Sequence, residues 1–272
     1  MALVQDTLAT GLSLRQAGQQ GAMMSPPKRL ARIAGLLYLI VGIFGGFALG
    51  YVSPSLYLPG NAAGTAANVL ANPGLVRIGV MADLLQATVF VFLGMTLYLL
   101  LRHVKKNAAT AMVIIVAIAT TIMCLDKVFQ FAALRVATDA SYAAAFGAAG
   151  SNALVLLLLD IHYYGYLIAQ IFFGLWLVPL GYLAYKSGMF PRALGVVLIA
   201  AGAFYLTDVL AAFLAPDLAK QIHPFLIIVP AVAEIWMVLY LLVWGVRTPK
   251  PDERARGAGV NATQQRVQGS SI

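Results

Sequence analysis

Apolar positions in this chain gather into long blocks. They neither alternate as in strands nor recur on one helical face as in soluble helices. Six blocks stand out, at about 31–52, 78–101, 109–131, 163–185, 192–214 and 224–246. The hydrocarbon core of a bilayer is about 30 Å thick and a helix rises about 1.5 Å per residue, so a span needs about 20 apolar residues. Every block meets that length. The pattern predicts an all-α, polytopic membrane bundle of about six transmembrane helices over residues 28–247. The polar stretches 1–27 and 248–272 read as disordered cytoplasmic tails, the second of them basic. Met23 and Met24 stand just ahead of the organised part and are alternative starts to Met1.

The connections differ in character. The first, 53–76, is uncharged, carries Pro54, Pro59, Gly60 and Pro73, and contains a helix-like stretch at 62–71. The second is short and basic, Arg102-His103-Val104-Lys105-Lys106. The third runs from about 132 to 162 and ends in the apolar run 153–159, which is either an interfacial helix or an extension of the fourth span. The fourth holds Lys186 and Arg192, and the fifth Pro216, Asp217, Lys220 and His223. Gly42, Gly46 and Gly50 put small residues on one face of the first span, suited to close packing inside the bundle or to a dimer seam. Pro179 is expected to kink the fourth span. Arg32-Ile33-Ala34-Gly35 echoes Arg192-Ala193-Leu194-Gly195, either a trace of duplication or a common way to open a membrane helix.

Composition sharpens this picture. Apolar residues make up 61% of the chain and charged ones 10%, against about 25% charged in a soluble domain. The net charge of +8 does not point to nucleic acid, because the cations flank the apolar blocks. Cys124 is the single cysteine, which excludes an intramolecular disulfide and a CxxC metal site, and it reads as a small packing residue. Walker A, GxSxG, HExxH and dinucleotide-binding motifs are all missing. No catalytic constellation is legible, so the enzyme reading is weak, and neither a cofactor nor a metal site is expected.

Lys and Arg also set orientation. Fourteen of the 18 fall on one side by this topology, and Arg77, Lys127, Arg135 and Lys220 make up the rest. The bias places both termini in the cytoplasm and the protein in a cell membrane.

Four acids lie inside the apolar blocks: Asp83, Asp126, Asp208 and Glu234. A charge at the bilayer centre costs at least about 2.5–3.5 kcal/mol, so these side chains should face the bundle interior. Three of them sit at a common depth in the outer half, with Glu234 beneath. Lys127 is the one cation beside them, and Arg77, Asp160 and His162 are placed at the rim. Four acids against one cation form a candidate binding site for a proton, a cation or a small solute.

The stretch YLIAQIFFGLWLVPLGYLAYKSGMFPRALGVVLIAAGAFYLTDVLAAFLAP, residues 166–216, resembles the DUF4386 family of bacterial multi-pass membrane proteins. The matching pieces are Phe173-Gly174, Gly181-Tyr182-Leu183, Lys186-Ser187-Gly188, Pro191-Arg192, Leu194-Gly195, Tyr205 and Asp208, with Arg77, Asp83 and Glu234 outside that stretch. The resemblance covers about 28–247 and implies membrane architecture without a particular activity.

Three function classes remain open. They are an accessory, sensor or binding protein with a polar pocket, a proton- or cation-coupled transporter of a small solute, and an intramembrane lipid-modifying enzyme. The lipid bilayer is the one partner implied; protein partners are left unspecified. Topology is directly testable. Reporter fusions after Lys106 and Lys186 should behave as cytoplasmic, and fusions near Asn61 and Lys220 as external; a cytoplasmic signal near Asn61 overturns the orientation.

Overall fold

The computed structural model describes residues 26–247. The expectations attached to the tails lie outside the described residues. Pro26 and Pro27 open the first helix, slightly ahead of the expected boundary; proline suits a first turn, where its missing N–H has no partner to lose.

Helix α1 (Pro26–Phe47) runs through a π-helical turn, Ala48–Val52, into the short α2 (Ser53–Leu56). Then come α3 (Ala62–Ala71), α4 (Pro73–Leu101), α5 (Lys106–Thr138), α6 (Ala140–Ser187), α7 (Arg192–Leu214), α8 (Pro216–Leu226) and α9 (Ile228–Val243). Among the described residues there is no strand. Six stretches are long and apolar enough to cross a membrane: Pro26–Leu56, Pro73–Leu101, Lys106–Thr138, Ala140–Ser187, Arg192–Leu214 and Pro216–Val243. Large apolar side chains such as Ile43, Ile78, Leu125, Leu210 and Ile235 are exposed all round the bundle. A continuous apolar exterior of that kind belongs in lipid rather than water. The chain is a multi-pass membrane helix bundle.

The six spans form a closed ring in chain order. Each packs on the next, and α9 returns to α1. The fourth span is the most buried. Most of the expected third linker is helical: α5 continues to Thr138 and α6 starts at Ala140, so the run 153–159 extends the fourth span. Asp139 caps α6 by accepting from the Ser141 N–H and hydroxyl. Those bonds, the hydroxyl's first, hold its carboxyl below the usual range, so the cap is present at neutral pH and is lost as pH falls through that lowered value. Within α6 only Gly147 leaves helical geometry, at φ 73° and ψ 164°; Pro179 sits in helical backbone. The expected fifth linker is α8, a helix leading directly into the sixth span.

Two packing expectations need correction. Gly42, Gly46 and Gly50 are exposed, with nothing within 4 Å of where a Cβ would stand, so they do not pack within the bundle. The close approach lies between α6 and α7. A Cβ on Gly174 would meet the Gly202 carbonyl oxygen at 2.8 Å, and one on Gly181 the Gly195 carbonyl oxygen at 2.6 Å, with the reverse distances equally short. Both pairs are seven residues apart on each helix, as antiparallel helices in close contact require. Cys124 is exposed rather than packed, one position past the buried Met123 on α5.

Two large apolar cores and a small third cluster, Ala87, Met123 and Ala169, fill the ring. The larger contains Tyr38, Leu93, Leu97, Met112, Trp176, Leu180, Leu198 and Met237. The smaller caps the other end, joining Val52, Leu56, Val69, Val76, Leu134, Val155 and Leu159. The cap exists because α5 and α6 continue well past the length a bilayer needs and enclose α3.

The glycine seam carries a prediction. Gly181→Ala and Gly195→Ala should each destabilise the detergent-solubilised protein by about 1–3 kcal/mol, as overpacking does. Gly46→Ala should stay within about 0.5 kcal/mol. Thermal unfolding of the three variants checks this; equal losses would refute the seam.

Candidate functional site

The buried polar residues lie between the two cores. On α4, Asp83 falls between Val76 of the cap and Phe90 of the main core. On α5, Asp126, Lys127 and Gln130 fall between Ala119 and Ala133, and on α6, His162, Tyr166 and Gln170 fall between Leu159 and Trp176. Helical periodicity turns each of these side chains to the interior face that the neighbouring core residues share.

Contacts run round the ring from the second span to the first. Lys127 Nζ of α5 lies 2.7 Å from Asp83 Oδ2 of α4, and 3.4 Å from its own neighbour Asp126. His162 Nδ1 of α6 lies 2.8 Å from Asp126 Oδ2. That contact is close in distance but is not aligned as a hydrogen bond, since both atoms lack a bonded partner. Gln170 Nε2 of α6 donates to Asp208 Oδ2 of α7 at 2.9 Å, and His223 Nδ1 of α8 lies 2.9 Å from Asp208 Oδ1. The Tyr205 hydroxyl of α7 donates to Glu234 Oε1 of α9 at 2.9 Å, and Tyr38 of α1 donates to Oε2 at 3.0 Å. Each neighbouring pair of spans from 2–3 to 6–1 therefore shares at least one polar contact, and spans five and six share two. Between spans 1 and 2 the amide of Gln86 rests against Gly45, where a Cβ would come within 2.7 Å of its Nε2.

These contacts form a slanted girdle. On α6 the partners of Asp126 and Asp208, His162 and Gln170, stand eight residues or about 12 Å of helix rise apart, so α6 meets these two acids at different heights. Tyr166 stands in the middle of the slope, within electrostatic range of Asp83, Glu234 and Asp208.

The predicted residues separate into three groups. Asp83, Asp126 and Lys127 converge with His162, while Asp208 and Glu234 take different partners. Asp160, placed at the rim by sequence, accepts from the Tyr57 hydroxyl. Burial, and after it this bond, pushes the Tyr57 phenol well up, so it stays a donor at physiological pH. Arg77 is exposed and forms no ion pair among the described residues, which fits headgroup anchoring better than pairing with an acid. The sequence reading named His223 but did not give it to Asp208, and it missed Tyr38 and Tyr205 as ligands of Glu234. A spacing of three residues between Tyr205 and Asp208 was the available signal.

Asp126 is the least satisfied member. It is 4% exposed, and neither carboxylate oxygen has a hydrogen-bond donor; Gln130 Oε1, one turn on, also lacks one. Gly165 makes the space, since a Cβ there would come within 2.6 Å of Asp126 Oδ1. Among the described residues no group of three or more His, Cys, Asp or Glu is placed to hold a metal ion. Cavities of about 550 and 400 Å3 lie elsewhere, at the basic end and beside α3, and neither is lined by the buried acids.

A family model described as a domain of unknown function, DUF4386, matches residues 33–245. No curated protein and no solved structure matches the chain.

Lys127 supplies the site's own prediction. Lys127→Met leaves two buried carboxylates with one cation fewer, and should cost about 3–5 kcal/mol, as breaking a buried pair does. Adding Asp83→Asn should recover part of that loss. A double-mutant cycle on unfolding midpoints measures the coupling; strict additivity would show that the pair contributes nothing.

Proposed function

The chain belongs to the DUF4386 family, and from that premise we propose that it is a membrane-embedded sensor or accessory protein whose polar girdle responds to protonation in the outer half of the bundle. The observation that carries this is His223. Its side chain is 53% exposed, yet its Nδ1 reaches Asp208, which is 5% exposed and holds the fourth span through Gln170. Histidine is the side chain whose unperturbed charge changes near neutral pH. The contact therefore sets a solvent-accessible imidazole directly against a buried carboxylate that joins two spans. His162 stands in the same relation to Asp126, with a smaller exposure of 17%.

The other groups facing this contact are few. Tyr163 and Tyr166 of α6 and Tyr205 of α7 lie within range of Asp208. On α8 itself, Lys220 and Asp217 pair with each other at 3.1 Å. Asp83, Asp208 and Glu234 are each held by a neighbouring side chain, and the acids line neither of the two cavities described above. That arrangement suits a reversible latch between spans better than a carrier's open binding site.

A proton- or cation-coupled transporter is the second reading. It draws on the unfilled acceptors of Asp126 and Gln130. Lys127 stands 3.4 Å from that carboxylate, so a small solute bearing hydrogen-bond donors fits the spot better than a metal ion.

Melting curves from about pH 5 to 8 discriminate. Under the sensor reading the wild type shifts with pH, and His223→Gln and Asp208→Asn each flatten the shift while the protein stays folded. Under the transporter reading, Asp126→Asn abolishes a stabilisation by added solute or cation at constant ionic strength. Wild-type profiles in all three variants would leave the girdle a purely structural device and the proposal wrong.

A further inference from the structure

The opposite end of the bundle carries a second, unrelated arrangement. Among the described residues it collects cations and no Asp or Glu. Three of the cations sit on tyrosine rings: Arg102 over Tyr98 at 5.9 Å, Lys105 over Tyr182 at 5.8 Å, and Arg192 over Tyr185 at 5.9 Å. Cations stacked on interfacial aromatic rings mark the depth at which lipid headgroups begin.

At that depth lies the cavity of about 550 Å3. Its walls include Lys28, Arg247, Trp236, Tyr240 and Trp244. Two of the chain's three tryptophans are therefore here. Trp236, Tyr240 and Trp244 are spaced by four residues and so form one stripe along α9 and its C-cap. Tyr240 and Trp244 are stacked, with centroids 5.8 Å apart.

The backbone builds the opening. Gly245 takes φ +69° and turns the chain back after α9. Val246 is then buried, and the Arg247 N–H donates to the Met189 carbonyl at 3.0 Å. The Tyr240 hydroxyl donates to the same carbonyl at 3.2 Å. This strap ties the end of the last span to the connection between spans four and five, and brings Arg247 into the same cavity wall as Lys28. Neither cation forms an ion pair among the described residues.

We propose that this cavity is a binding site for an anionic phospholipid, with Lys28 and Arg247 on the headgroup phosphate and the Trp236–Trp244 stripe against its glycerol and upper acyl chains. The chemistry fits in each part. Two cations that form no ion pair among the described residues match a phosphate, and aromatic rings match the interface. A soluble phosphate ion would use the cations and leave the aromatic stripe idle.

Native mass spectrometry and melting of the full chain in detergent test this with three additives: phosphatidylglycerol, phosphatidylcholine and inorganic phosphate. Phosphatidylglycerol should bind and raise the melting temperature, and the other two should not. The double variant Lys28→Gln/Arg247→Gln should weaken phosphatidylglycerol binding roughly thirtyfold, about fivefold for each interfacial cation. Arg102→Gln/Lys105→Gln, which removes as much charge from the same end, should leave it unchanged. Lys28→Arg/Arg247→Lys keeps the charge and should retain binding, which separates loss of the site from failure to fold. Equal stabilisation by inorganic phosphate would make this an anion site and overturn the lipid assignment. Equal losses in the two charge-removing variants would reduce the effect to surface charge and overturn the site.

Discussion

A carboxylate inside hydrocarbon must find a donor or a cation, and that constraint organises this bundle. Apolar packing between membrane helices is nearly indifferent to which helix meets which, since lipid tails are as apolar as leucine. The polar contacts are not indifferent. Asp83 accepts Lys127, Asp208 accepts Gln170, and Glu234 takes Tyr205 and Tyr38 together. A register shift of one residue on any of these spans would turn its acid toward lipid. The girdle thus selects one neighbour and one register for each span. Each bond contributes little on its own, about 0.6 kcal/mol on average for contacts of this kind, but the alternatives to each are costly.

The two ends of the ring are held by different physics. Toward the basic end, α6 and α7 meet backbone to backbone along Gly174, Gly181, Gly195 and Gly202, where contact depends on shape alone. Toward the other end the same two helices meet through side chains, where Gln170 bonds Asp208. Shape contacts of that kind carry no charge, whereas the buried ionisable side chains gather in the other half of the bundle, beneath the cap built from α3 and the extensions of α5 and α6.

Much of this was legible in the sequence. Block length alone gives the six spans, and the cost of intramembrane charge singles out Asp83, Asp126, Lys127, Asp208 and Glu234. Partners were harder to read, because side chains of the same depth compete. Lys127 could have met any of three acids, and Tyr38 and Tyr205 look like ordinary aromatic residues until α1, α7 and α9 are brought together. The glycines show the limit of local pattern. Gly42, Gly46 and Gly50 form the more conspicuous stripe, yet they face outward. The working seam uses a seven-residue spacing shared by two helices, which is visible only when both are read side by side. The long linkers were misread because 132–162 and 216–226 are more polar than a span, although they remain helical.

The fourth span has a mechanical consequence. From Ala148 to Ser187 it is one rod, about 60 Å long, roughly twice the thickness of the hydrocarbon it crosses. Its lower part is clamped by the glycine seam and its upper part carries His162 and the wall of the cap. Pro179 lies inside the clamp, between Gly174 and Gly181, and deprives the Leu175 carbonyl of its helical partner. The rod is therefore weakest where it is gripped. By geometry alone, any flexure at that pivot would be magnified with distance, reaching the far tip of the rod as a larger sideways displacement than at the glycines.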